Sequence, residues 1–87
     1  MRKLDLTKAA VKFMETLPAK QFRQIARTIF KLREDAEPKD SQQMAGNPEY
    51  RRADIGEYRI VYRIETDVIK IAVIGKRNDG EVYRGFC

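Results

Sequence analysis

The sequence contains no histidine and no tryptophan, and its single cysteine, Cys87, is the last of 87 residues. Each scarcity removes a class of chemistry. Without imidazole there is no triad, dyad or histidine pair to move a proton at neutral pH, and any acid–base work falls to Asp, Glu, Tyr, Lys or Arg. One thiol without histidine builds neither a tetrahedral zinc set nor an internal disulfide, so no metal and no other cofactor is expected. No apolar run is long enough to span a bilayer, and none follows Met1-Arg2-Lys3-Leu4-Asp5-Leu6 as a signal peptide would require. A cytoplasmic chain with no membrane partner is the expectation. The pair Gly75-Lys76 is not a phosphate loop, because Lys70 stands where that motif needs its first glycine.

What the chain does have is positive charge and a globular mixture of apolar and charged residues. Eighteen Lys and Arg against thirteen Asp and Glu give a net charge of +5, which favours a polyanionic partner because each phosphate neutralised releases counterions. The length suits one domain, residues 1–87, and a chain this short buries only about 60–65% of the surface its unfolded form exposes. A large enclosed substrate pocket is not expected.

The period of the apolar residues divides the chain. Met1 to Leu6 reads as a short first strand, and Thr7 can cap a helix carrying Ala10, Val11, Phe13, Met14 and Leu17. Pro18 suits the first turn of a second, antiparallel helix. Its apolar face is predicted as Phe22, Ile25, Ala26, Ile29, Phe30 and Leu32, opposite Lys20, Arg23, Arg27, Lys31 and Arg33. The acidic segment Glu34 to Pro38 stops this helix, and Ser41 to Tyr50 reads as a loop with at most one helical turn. From Tyr50 the period becomes two. Strands are predicted over Tyr50–Ile55, Tyr58–Ile64 and Val68–Ile74, with turns at Gly56-Glu57 and Glu65-Thr66-Asp67. Parity puts Tyr58, Ile60, Tyr62 and Ile64 on the helices, and Arg59, Val61 and Arg63 on the other face with Tyr50, Arg52 and Asp54. Asn78-Asp79-Gly80 then reverses the chain and can bring Tyr83 back toward Arg77. The expected class is α+β: a short N-terminal strand and two antiparallel helices packed on one face of a small, mainly antiparallel sheet.

Three blocks, Glu57-Tyr58-Arg59-Ile60-Val61-Tyr62, Val73-Ile74-Gly75-Lys76-Arg77 and Glu81-Val82-Tyr83, resemble in order and spacing the closing blocks of RelE toxins in the RelE/ParE superfamily. The resemblance implies a toxin of a type II toxin–antitoxin system, partnered by a cognate antitoxin and acting on the ribosome and its mRNA as a metal-independent endoribonuclease. It implies that Arg59 and Arg77 hold the scissile phosphate and that Tyr83 stacks on and orients the mRNA. Arg51, Arg52, Lys70, Lys76 and Arg84 are then expected to bind RNA around them. The chemistry is coherent: attack of a 2′-hydroxyl on its neighbouring phosphate builds negative charge on phosphoryl oxygens, which a forked guanidinium meets with two parallel donors.

Other readings stand beside this one. A strand arginine is commonly a solvated cross-strand partner, and a basic helix face is commonly just solvated. RelE toxins tend to carry a basic residue where this chain has Asp54, which leaves open an ion pair with Arg59 or Arg52, or a proton-accepting role. The alternatives at the level of function are a ParE-like toxin that poisons DNA gyrase without cutting RNA, and a noncatalytic protein-binding module of the same fold.

Overall fold

The computed structural model of the chain describes residues 2–77. Seven elements follow one another: β1 (Lys3–Leu6), α1 (Lys8–Glu15), α2 (Ala19–Leu32), β2 (Ser41–Met44), β3 (Asn47–Ile55), β4 (Tyr58–Glu65) and β5 (Val68–Lys76). The five strands form one sheet in the order β1-β5-β4-β3-β2. Among the described residues only β1 runs parallel to its neighbour, with Lys3 opposite Val68 and Leu6 opposite Ile71; the other three pairings are antiparallel. The α+β class and the two helices on a mainly antiparallel sheet are as expected. Asn78 to Gly80, Tyr83 and Arg84 lie outside the described residues.

Helix α1 starts where a side chain satisfies an orphan backbone donor. The Thr7 hydroxyl accepts from the Ala10 amide at 3.2 Å, and donates at 2.6 Å to the carbonyl of Ala72 on β5. One residue therefore caps α1 and ties it to the interior strand β5. Leu17 and Pro18 turn the chain into α2. Its Ile25, Ile29 and Leu32 are buried beside Ala10 and Met14 of α1 on one face of the sheet.

The facing side of the sheet contributes Ala53, Tyr58, Ile60, Tyr62, Ile69, Ile71 and Ile74. Spacing in β5 breaks period two because the register shifts between Val61 and Tyr62: Val61 pairs with Val73, but Tyr62 pairs with Ile71. Ala72 is the extra residue of this bulge, and it keeps both Ile71 and Ile74 on the core face. Tyr62 is wholly buried and donates its hydroxyl to the Ala36 carbonyl at 2.7 Å, which anchors the segment after α2. Burial pushes that phenol's pKa up.

Two expectations are corrected. Ser41 to Tyr50 is not a loop: Ser41–Met44 pairs with β3, and the chain reverses at Ala45-Gly46, where Gly46 has φ +83°. Phe22 and Phe30 do not join the core, being 41% and 51% exposed. At 100° per residue they lie beyond the arc of Ile25, Ile29 and Leu32 and flank the half-buried Ala26. The second sheet face also carries a small apolar cluster, in which Val61 and Met44 are buried against Tyr50 and Val73.

Candidate functional site

Pairing between β3 and β4 sets Asp54 directly opposite Arg59, and pairing between β4 and β5 sets Arg59 opposite Gly75. All three face away from the helices. Gly75 carries no side chain, so the Arg59 guanidinium meets no β5 side chain at its own level. Asp54 grips it from the other side: Arg59 Nε donates to Oδ1 at 2.6 Å and Nη2 to Oδ2 at 3.0 Å. The Arg59 side chain is only 11% exposed and that of Asp54 31%.

Arg77 reaches the same carboxylate from the end of β5. Its amide donates to the Glu57 carbonyl at 2.8 Å, its Nη1 to the Gly56 carbonyl at 3.3 Å, and its Nε lies 3.5 Å from Asp54 Oδ2. This fold-back over the β3–β4 turn depends on Gly56, whose φ of +58° suits a two-residue hairpin and is unfavourable for residues with a Cβ. Two guanidinium groups from different strands thus converge on one carboxylate. The paired hydrogen bond from Arg59, reinforced by the charges of Arg59, Arg77 and Arg52, holds the Asp54 carboxyl below its ordinary pKa, while Asp54 raises that of Arg59.

Of the roles left open for Asp54, the ion pair with Arg59 is seen in the structure. A carboxylate so engaged is a poor proton acceptor.

The remaining sequence candidates divide by position. Arg52 shares the face of Asp54, with Nη2 donating to Gln42 Oε1 at 2.8 Å. Lys70 is on this face too, but opposite Arg63, four residues along β4 from Arg59 and hence about 13 Å away. There it lies 3.6 Å from Glu65, which also pairs with Arg63; the Arg63 hydrogen bond and the Lys70 charge lower the Glu65 pKa. Lys76 is exposed and pairs with Tyr58, on the opposite parity.

Arg51 is not brought to the site. It faces the other way, donating to Ser41 Oγ at 2.8 Å and to Glu37 Oε2 at 3.3 Å, with its side chain 16% exposed. It braces β2 and the segment after α2. Sequence reading passed over Arg63, whose guanidinium carbon stands 6.0 Å from the Tyr50 ring centroid on the Arg52 face; the shared parity of Tyr50 and Arg63 was the available signal.

Among the described residues no group of His, Cys, Asp and Glu is arranged to hold a metal ion, and no helix is long and apolar enough to cross a membrane.

Comparison with known proteins agrees with this architecture. A family model described as the ParE toxin of the type II toxin–antitoxin system parDE matches residues 4–80. Among solved structures, a chain of the archaeal RelE–RelB complex from Pyrococcus horikoshii is 25% identical, with a TM-score of 0.78 over 88% of this chain and 96% of that one. The isolated E. coli RelE toxin is 21% identical, with a TM-score of 0.78 over 98% of this chain and 94% of that one. A YoeB/ParE toxin from Agrobacterium tumefaciens is 17% identical, with a TM-score of 0.73 over 86% and 98%. No curated protein sequence matches significantly. The matched family model spans nearly the whole sheet and both helices, and the chain accordingly belongs to the ParE toxin family, as a type II toxin of the RelE/ParE superfamily.

Proposed function

We propose that this toxin is a ribosome-dependent endoribonuclease that cuts translated mRNA in the A site and so inhibits translation. The observation that carries the reading is the convergence of Arg59 and Arg77 on the Asp54 carboxylate. Two guanidinium groups gathered on one anion are what a phosphate undergoing attack by its neighbouring 2′-hydroxyl requires, provided it shares or displaces their contacts with Asp54. Tyr83, six residues after Arg77 in the sequence, supplies a ring for stacking on the mRNA, which contributes about 1–3 kcal/mol per base. Arg52 extends the positive surface beside Arg59, and Lys70, Lys76 and Arg84 are its proposed outer contacts.

Arg59, Arg77 and Tyr83 include no group suited to withdrawing a proton strongly at neutral pH, so the purified toxin cuts naked RNA poorly and relies on the ribosome to align the strand. A cognate antitoxin silences it; that partner is supported by the likeness to RelE in complexes with RelB.

The test is to induce the toxin and map mRNA ends by primer extension, alongside Arg59→Ala and Arg77→Ala. Cuts clustered at A-site codons, lost in both variants although they still fold, are expected. Intact mRNA with undiminished toxicity in the variants would overturn the reading. One observation favours a second reading, gyrase poisoning: the matched model is that of ParE, and Asp54 already compensates Arg59. Inhibition of DNA supercoiling by the purified toxin distinguishes it.

A further inference from the structure

The cationic residues of α2 are placed more regularly than solvation requires. Its fourteen residues include Lys20, Arg23, Arg27 and Lys31 and no acid. At 100° per residue these four fall within an arc of about 80°. All four are exposed, and none forms a salt bridge among the described residues. Like charges four apart, as in Arg23 with Arg27 and Arg27 with Lys31, weaken an isolated helix. A merely soluble face would intersperse Glu or Asp among them; this one forgoes that stabilisation along its length.

The stripe also borders space and leads to the site. Lys20, Arg23, Arg27 and Lys31 line a groove of about 430 Å³ with Gln24 and Ile55. A Cβ placed on Gly56 would lie 3.7 Å from the Gln24 side chain, and the carbonyl of Gly56 is the one that receives Arg77. The α2 stripe and the Arg59–Arg77 pair therefore meet at the β3–β4 turn. From Lys20 to Lys31 the helix rises about 16 Å, a length over which a nucleic-acid strand presents several phosphates.

We propose that this stripe is a second RNA-binding surface, which lies along the phosphate backbone of a double-helical RNA segment while the Arg59–Arg77 site engages a single strand. A double helix is the occupant the geometry favours because a straight row of cations without interleaved aromatic rings reads backbone and not unstacked bases. The exposed Phe22 and Phe30 lie outside the stripe's arc, Phe22 about 100° and Phe30 about 20° beyond Arg23, so a protein partner with apolar anchors would centre on the edge of α2 and not on the row of cations. In choosing RNA over another polyanion the inference rests on the ribosomal reading above, but it is a statement about binding and stands apart from cleavage.

The experiment compares the full chain with a variant carrying Lys20→Gln, Arg23→Gln, Arg27→Gln and Lys31→Gln, and with the charge-preserving pair Arg23→Lys and Arg27→Lys. Affinity is measured over a salt series for a synthetic 20-base-pair RNA duplex, for purified small ribosomal subunits, for a single-stranded RNA of the same length and for the antitoxin. Circular dichroism checks the fold. The neutral variant should bind duplex and subunits at least tenfold more weakly, with the slope of log affinity against log salt reduced by about 3. The charge-preserving pair should stay within twofold of the parent, and antitoxin affinity should not change. Undiminished duplex and subunit binding by the neutral variant would overturn the proposal. So would a loss confined to the antitoxin, which would make the stripe a protein-docking face. Failure of the cleavage reading shows instead as uncut mRNA with these binding differences intact.

Discussion

Replacing Asp54 by Asn separates two effects that the wild-type carboxylate combines. Asn keeps the shape but removes the charge that holds Arg59 at 2.6 and 3.0 Å. Arg59 is only 11% exposed, so its guanidinium is left without an anionic partner in a place where water replaces it incompletely. Hydrogen bonds to charged groups contribute about 1.5–3 kcal/mol each, and partial exposure of Asp54 with the amide's residual acceptor reduces the net loss to about 1–2 kcal/mol. For a domain this size that corresponds to a fall in Tm of about 4–16 °C. RNA binding should move the opposite way. A phosphate seated on Arg59 and Arg77 would lie about 5 Å from the carboxylate, a repulsion of about 3 kcal/mol at an effective dielectric of 20, which exposure and salt reduce to about 1–1.5 kcal/mol. Asp54→Asn should therefore bind a 2′-O-methylated, uncleavable mRNA fragment about tenfold more tightly while melting earlier. Thermal unfolding and fluorescence anisotropy measure both. The pH dependence supplies a further check. Because the folded-state pKa of Asp54 is depressed, its contribution is fully present above the ordinary carboxylate value and is lost as pH falls below about 4, so the difference in Tm between parent and variant should shrink there. An unchanged Tm at pH 7, or weaker RNA binding in the variant, would refute the reasoning.

Two further outcomes follow from other parts of the molecule. Arg51→Ala should lower stability by about 1–3 kcal/mol, because it unties Ser41 and Glu37, yet leave RNA affinity within about twofold; a large loss of RNA binding with an unchanged melting curve would contradict its placement. Phe22→Ser combined with Phe30→Ser, at positions 41% and 51% exposed, should weaken antitoxin binding at least tenfold in calorimetry while shifting stability by under about 0.5 kcal/mol.

Alternation made most of the sheet legible. Tyr58, Ile60 and Tyr62 fall on the core face and Arg59 on the other because residues of a strand alternate strictly, and the same parity placed Asp54 beside Arg59. Edge strand β2 was not legible: Ser41-Gln42-Gln43-Met44 shows no apolar alternation, and it is held by backbone pairing with β3 and by Arg51. In α2 the apolar residues span more arc than the sheet can cover, so period alone assigned Phe22 and Phe30 to a core that has no room for them. The convergence of Arg77 on Asp54 depends on the positive φ of Gly56 and on a fold-back over a turn, which strand parity does not encode.

Pairing of β1 with β5 has a consequence for the order in which the chain folds. Lys3 meets Val68, and Thr7 meets Ala72 across 65 residues. Local contacts such as the β3–β4 and β4–β5 hairpins close early and cheaply, whereas this long loop closes against a larger entropic penalty. During synthesis the N-terminal strand has no partner until the last described strand has been made. Until β1 takes its place, the nascent sheet carries an open edge at β5, a backbone surface on which another chain can pair.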